Sequence, residues 1–252
     1  MNIINIIAIS GIPKIKEGDD IGAVILDALD KNKLDIKEND IIIIAQTIIS
    51  KSEGRIVKLD KITPSEFAYS LALKVGKDPR LIEIILRESS SLIKIGNGKI
   101  ITESKLGFIC ADAGVDHSNS PPGTVTLMPL SPDKTAEKIK RVFKEKKGVN
   151  VAVIITDTHG RPFREGAINV AIGVAGLEPI LDYWGKVDIY GNRLLTTKVA
   201  VADEIASAAE LFMGEANESI PVVIIRGYKY QHSEEKNLSR KLIRDENSDL
   251  FR

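Results

Sequence analysis

The chain has 252 residues, 43% hydrophobic and 28% charged, a composition of ordinary globular type that leaves little room for disorder away from the ends. Lys plus Arg equals Asp plus Glu at 35 each, so no global field exists to hold a phosphate backbone, and a nucleic-acid partner is not expected. The single cysteine, Cys110, excludes an internal disulfide framework and a thiolate zinc cluster, reads as a small buried hydrophobe, and fits a reducing, cytoplasmic setting.

MNIINIIAIS is apolar but lacks a basic leader and reaches polar GIPKIKEGDD too soon for a signal peptide or a membrane span. Asp19 and Asp20 then predict the start of a helix in IGAVILDALD, carboxylates being favoured beside first-turn amides. DIIIIAQT (40–47) is the continuous apolar run of a strand covered on both faces. TPSE predicts a capping box, with Thr63 as N-cap, Pro64 at the first helical position and Glu66 at the third, opening EFAYSLALKVG. Asp78-Pro79 opens a further helix in RLIEIILRES, and Asn97-Gly98 in LIKIGNGKIIT predicts a hairpin. Ser131-Pro132 opens DKTAEKIKRVFKEKKG, whose Ala136, Ile139, Val142 and Phe143 form one stripe. VNVAVIIT (149–156) and IPVVIIRG (220–227) are again strands of buried type, separated by a helix from about residue 199 to 213 that Gly214 ends. In the charged tail, 232–252, Leu238, Leu242 and Ile243 at helical spacing predict an amphipathic helix. The mixture implies an α+β or α/β protein with antiparallel strands in the middle of the chain; without a linker or repeat, two subdomains within 1–252 must interleave.

Three apolar segments end in or adjoin acid-bearing loops. FICADAGVDHSN leads into Asp116 and Asn119, VAVIITDT ends in Asp157 and Thr158, and AAELFMGEANES passes from a helix into a loop with Glu215. Magnesium and manganese take oxygen ligands from several segments, one or two carboxylates each, with positions left for phosphate and water. Singly, each acid reads as a polar residue leaving a strand or helix; Asp112 and His117 compete for the role, and His117 and His159 read as hydrogen-bonding residues rather than ligands. Lys14 and Lys51 offer compact charges for phosphate, and Arg161 and Arg164 offer bidentate forks. No P-loop, Rossmann fingerprint or nucleophile elbow is present, so phosphates would be held by metals and scattered loops.

Taken in order, GIPKIKEGDDI, TIISKSEGR, ADAGVDHSN with PPGTVTLMPLSPDKTAE, VIITDTHGRPFREGAINVAIG, DYWGKVDIYGNRL and VAVADEIASAAELFMGEANESIPVVIIRG resemble the coenzyme F420-0:gamma-glutamyl ligase family over residues 8–228. The resemblance implies a GTP-dependent ligase that joins L-glutamate to the deazaflavin precursor F420-0, usually adds a second glutamate through the gamma-carboxylate, and works as an intertwined homodimer of α+β subunits. By matching motif, guanine-nucleotide contacts fall on Ile12, Pro13, Lys14, Ile15, Gln46, Thr47, Lys51, Asn119 and the loop Met213, Gly214, Glu215, Ala216, Asn217, Glu218, Ser219 and Ile220. Two magnesium or manganese ions per subunit fall on Asp116 with Asp157 and on Thr158 with Glu215, with potassium as an additional ion; Lys51 and Arg161 would assist phosphoryl transfer.

Gln46 stands where a small hydroxyl residue can stand, His159 replaces an aromatic residue or Asn, and the tail after RGYKYQ is unfamiliar, so the resemblance implies little for nucleotide preference or tail role. The same nucleotide and metal residues would serve a ligase acting on another small carboxylate acceptor, and a non-catalytic guanine-nucleotide binder is the contrasting reading. Tyr183, Trp184 and Tyr190 read as dimer packing before acceptor-pocket lining.

Overall fold

A computed structural model of the chain describes residues 3–96 and 98–250; Asn97 of the expected hairpin turn, and the two residues at each end of the chain, lie outside the described residues. In chain order the elements are β1 (Asn5–Ala8), α1 (Ile21–Lys31), β2 (Ile41–Ala45), α2 (Gln46–Ser52), β3 (Ile56–Lys58), α3 (Glu66–Val75), α4 (Pro79–Glu88), β4 (Ser89–Gly96), β5 (Lys99–Ser104), β6 (Ile109–Ala111), β7 (Thr124–Thr126), α5 (Pro132–Lys147), β8 (Ala152–Arg161), β9 (Arg164–Leu177), β10 (Leu181–Asp182), β11 (Lys198–Val199), α6 (Val201–Met213), β12 (Val222–Arg226) and β13 (His232–Ser233).

The expectation of an α+β chain with mixed and antiparallel strands matches this architecture. A six-stranded sheet runs β1-β12-β2-β8-β9-β13, antiparallel throughout except for the parallel pair β2 and β8. The isoleucine run of β2 is buried along its length because both faces are covered: Ile42 and Ile44 pack with α1, α2 and α5, while Ile41 and Ile43 pack with α6. Each large aliphatic side chain so buried contributes about 1.5–3 kcal/mol. At β9, Gly173 is required by close approach, since a Cβ there would stand 2.6 Å from the backbone of Pro132 at the start of α5. Residues 57–127 form a third core, in which α3 and α4 pack on Ile100, Val125 and Leu127 beside the β4-β5-β6 sheet.

Asp20 and Asp78 cap α1 and α4 as expected. For α3, the cap is Ser65 rather than Thr63: its hydroxyl accepts from the Ala68 amide at 3.2 Å, and Glu83 fixes Ser65 by accepting from both its amide and its hydroxyl. A tertiary contact therefore moved the cap two residues past the local capping-box signal. The predicted strand 40–47 stops at Ala45, because Gln46 already begins α2 and accepts from the Ser50 hydroxyl one turn on at 2.8 Å.

The largest departure is the β8-β9 hairpin. The strand does not end at Thr156 but continues to Arg161 and returns as β9 through Pro162-Phe163. Proline followed by a positive φ, here 61° at Phe163, follows the type II turn pattern, but the position normally filled by Gly or Asn holds an aromatic residue, so the turn carried no sequence signal. In the tail, two 3-10 segments, Leu238–Leu242 and Glu246–Ser248, replace the expected amphipathic α-helix. Ser239 donates through its amide and hydroxyl to Asp133 at 3.2 and 2.7 Å while Leu238 is fully buried, which pins the segment to the body at its first turn.

Candidate active site

The strand directions bring the marked segments to one edge of the sheet. β2 and β8 run parallel, so Gln46 and Asp157 leave the core on the same side. The loop after β1 emerges there too, with the Ile9 amide bonded to the Val222 carbonyl at 3.0 Å, and the loop before β12 is tied in by the Ala45 amide on the Pro221 carbonyl at 2.9 Å. The carboxyl ends of neighbouring parallel strands are where open sheets of helix-covered type place their ligands.

Within this edge two polar groups form. In the first, Lys51 in the last turn of α2 donates to the Asn119 carbonyl at 2.6 Å, and Asn119 adopts a left-handed conformation, φ 51°. Burial lowers the pKa of Lys51, the carboxylate of Asp116 opposes that, and the like charge of Lys14 adds to it, so Lys14, Lys51 and Asp116 share one electrostatic neighbourhood. Asp116 sits in an isolated bridge with Thr126, and its carboxylate accepts from the amide and hydroxyl of Ser118. Ile12 and Ile15 of the GIPKI loop turn onto the core, while Pro13 and Lys14 are exposed.

In the second group, the Thr158 hydroxyl lies 2.6 Å from a Glu215 carboxylate oxygen and 2.7 Å from the Asn169 side-chain oxygen. Asn169, buried and paired with Thr158 in the hairpin register, donates its amide to Glu210 of α6. Burial raises the Glu210 pKa to about 7, with a hydrogen bond and like charge from Glu215 adding to the effect. The Met213 to Ile220 loop holds this shape through Gly214 (φ 61°), where a Cβ would meet the Glu218 carboxylate at 2.3 Å, and through the Ala216 amide on that same carboxylate at 2.9 Å.

Asp157 lies one residue along β8 from Thr158, on the opposite face of the strand, with its carboxylate 3.2 Å from His159 Nε2. His159 is thus a hydrogen-bonding residue as expected, though on a strand and not in a loop. Arg161 donates to the carbonyls of Gly166 and Glu165 at 3.1 and 2.7 Å, and Arg164 is its exposed cross-strand partner. Asp112 pairs with Lys77 and accepts from the Ile100 amide, a structural role, and His117 is exposed. Cys110 is buried as expected, and burial pushes its thiol up to about 12.

Asn169, Glu210 and Asp203 carry polar contacts at this edge that residue-by-residue reading missed. Asn169 had no sequence signal, because a register shift between His159 and Arg161 pairs Thr158 with Asn169 where a plain count from the Pro162-Phe163 turn would give Ala167. The donors offered by Asp116, Asp157, Thr158 and Glu215 are all oxygen, the chemistry of a hard divalent cation. Among the described residues no three His, Cys, Asp or Glu side chains stand together as a metal cage.

Fold and site together define an α+β protein with an oxygen-rich polar edge at the ends of two parallel strands. A profile of the family described as F420-0:Gamma-glutamyl ligase matches residues 11–227. The coenzyme F420:L-glutamate ligase of Methanothermobacter thermautotrophicus is 50% identical over 249 residues, 99% of each chain. That of Methanopyrus kandleri is 46% identical over 241 residues, 95% of this chain and 94% of its own, and that of Methanocaldococcus jannaschii is 49% identical over 217 residues, 86% of each. The chain belongs to the F420-0:gamma-glutamyl ligase family.

Proposed function

We propose that this protein joins L-glutamate to the deazaflavin precursor F420-0 with GTP as co-substrate, in coenzyme F420 biosynthesis, and continues with a gamma-linked second glutamate. Family membership supports the reaction class, and the site reading is supported by two contacts beyond the carboxyl ends of β2 and β8, Lys51 on the Asn119 carbonyl near Asp116, and Thr158 on Glu215.

A carboxylate is a poor electrophile, so it must be activated before an amine can attack. The terminal carboxylate oxygen of the precursor bonds to the gamma-phosphorus of GTP, the bond to the bridging oxygen breaks, and GDP leaves. The glutamate amine then bonds to the carbonyl carbon of the acyl phosphate, loses a proton, and inorganic phosphate departs. No protein nucleophile is needed. Lys51 places a compact cation on the phosphates, Asn119 and the 12–15, 46–47 and 213–220 segments hold the nucleotide, and Arg161 assists the transferring group. Magnesium or manganese, on Asp116 with Asp157 and on Thr158 with Glu215, supplies neutralisation of triphosphate charge when bound. Potassium is the further ion of this reading.

The working form is a homodimer in the cytoplasm. Its support is the 183–197 arm, which exposes Trp184, Val187, Ile189, Tyr190 and Leu195 along a ladder closed by the Val187 to Arg193 bridge. No helix among the described residues is long and apolar enough to cross a membrane.

The test is to incubate the purified chain with F420-0, labelled glutamate, GTP and manganese and to weigh the products. A mass gain of one or two glutamyl residues, with GDP and phosphate released in step, is the expected result; GTP hydrolysis without that gain overturns the ligase reading. Parallel runs with ATP, and with other small carboxylates, test the nucleotide and the acceptor.

A further inference from the structure

On the side of the β8-β9 hairpin that faces α6, two acceptors share one hydroxyl hydrogen. Thr158 Oγ1 stands 2.7 Å from the side-chain oxygen of Asn169 and 2.6 Å from a carboxylate oxygen of Glu215. A threonine hydroxyl has a single hydrogen to give, so one of these two contacts is oxygen against oxygen at any moment. Given the ligase reading and its metal ligands, on which this rests, we infer that Asn169 is a positioning residue: it takes the Thr158 hydrogen, so that the hydroxyl offers a lone pair on its Glu215 side and the two oxygens serve one cation together.

The orientation of the Asn169 amide is fixed by its surroundings. The residue is 3% exposed on β9, directly across from Thr158 in the ladder. Its nitrogen faces acceptors only, the Glu210 carboxylate of α6 and, at 3.8 Å, the sulfur of Met213, so its oxygen faces Thr158. The Ser207 hydroxyl fastens the Asn169 backbone carbonyl to the same helix at 2.8 Å. Asparagine is depleted in strands, and a buried amide is unfavourable unless its polar atoms are met. Here α6 meets the nitrogen and the backbone, and the side-chain oxygen is left for Thr158.

Counting hydrogens shows why a cation needs this amide. With Glu215 as acceptor, the Thr158 hydroxyl directs its hydrogen between the two oxygens, where it opposes a positive ion. With Asn169 as acceptor, the hydrogen points across the ladder to β9, and Thr158 and Glu215 both present lone pairs, the oxygen donors that a magnesium-type ion takes. Without the amide oxygen the hydrogen has only Glu215 to turn to, so ion and hydrogen compete for one carboxylate oxygen. Groups that orient a metal ligand in this way act through the ligand and not on the ion. Asn169 belongs neither to the oxygen donors nor to the nucleotide contacts read from the sequence, and Glu210 stands one step further out, holding the amide the right way round.

Thr158→Val and Asn169→Leu, singly and together, test this through manganese binding, followed by electron paramagnetic resonance of the free ion, first with manganese alone and then with a non-hydrolysable guanine nucleotide added. Each single change should weaken one class of manganese site roughly 10- to 100-fold and leave any other class as in the wild type. Because Asn169 acts through the hydroxyl, adding Asn169→Leu to Thr158→Val should weaken that site by less than about twofold more, whereas a residue that only ties β9 to α6 gives losses that add in full. Thr158→Ser, which keeps the hydroxyl, should bind as the wild type does. Unchanged manganese affinity in Asn169→Leu, additive losses in the double variant, a Thr158→Ser chain as weak as Thr158→Val, or a wild-type chain that takes up no manganese each overturn the inference.

Turnover is scored separately. Glutamylated product from a chain whose manganese sites ignore Asn169 removes this residue and keeps the ligase reading; coupled manganese binding in a chain that makes no such product keeps the residue and removes the reading. Circular dichroism identifies a misfolded variant, and Asn169→Ala takes the place of Asn169→Leu in the cycle if the larger side chain unfolds the protein.

Discussion

β2 carries charge at both of its ends and treats it in opposite ways. At its start, the buried Asp40 carboxylate accepts from Arg226 at 2.8 and 2.6 Å, and the same guanidinium reaches the Asp35 carbonyl at 2.7 Å. The hydrogen-bonded Asp40 carboxylate raises the Arg226 pKa and so stabilises the guanidinium charge. At the far end, burial lowers the pKa of Lys51 and raises that of Glu210, so both groups sit where their ionised forms are disfavoured. One end closes on itself and serves the fold. The other gathers charge that a ligand of opposite sign would stabilise, which is how binding and catalytic sites differ from structural ion pairs.

The sharpest way to break this contrast is at the open end. Asp157→Ala should cost about a thousandfold in metal-dependent rate, in line with the several kcal/mol a bound divalent ion supplies, with an unchanged urea midpoint. Near-normal turnover in an assay of product and GDP would remove Asp157 from the metal set. At the closed end the expectation reverses: Asp40→Asn strips Arg226 of its buried counter-charge and should destabilise by about 3–5 kcal/mol, read as a lower urea midpoint, with the KM for GTP unaffected. A stable Asp40→Asn protein with altered nucleotide affinity would mean the two ends are not separate in role. Lys51→Ala is the next in size, a rise in the KM for GTP of roughly 10- to 100-fold, and an unchanged value would take the lysine away from the phosphates.

The smallest expected effect comes from Cys110, a buried thiol on β6. With an ordinary value of 9.0, it ionises in the folded chain only at about 12. Between those values the folded state keeps a proton the unfolded chain has released, so stability is full below pH 9 and falls above it by about 1.4 kcal/mol per pH unit. Cys110→Ala should lose less stability than the wild type between pH 9 and 10.5; parallel slopes would show that the thiol is not shielded as the fold implies.

The chain's own pattern was enough for much of this picture. The isoleucine run of β2, the proline-opened helices α4 and α5, and Gly214 at the end of α6 are local signals, because apolar periodicity, a fixed φ at proline and a glycine at positive φ each act within a few residues. The oxygen-bearing side chains of Asp116, Asp157, Thr158 and Glu215 were legible in the same way, although Asp157 and Thr158 lie within β8 and not at its end. What local signals could not carry was the cap at Ser65, chosen by Glu83 eighteen residues away, or the hairpin turning at Phe163 without a glycine.

Convergence itself belonged to the tertiary structure alone. Thr158 meets Glu215 across 57 positions and Lys51 meets Asn119 across 68, and neither pairing follows from spacing. The first follows from strand direction, since parallel β2 and β8 deliver their following residues to one edge while antiparallel β12 draws its preceding loop to the same place; the second follows from the pairing of β3 with β7 and the Asp116 to Thr126 bridge, which set the 112–124 loop beside α2. The sequence determined which side chains bring oxygen and positive charge to the loops; the sheet decided which of them face one another, because hydrogen-bond register and burial on both faces leave the strands a single arrangement that keeps the apolar residues dry.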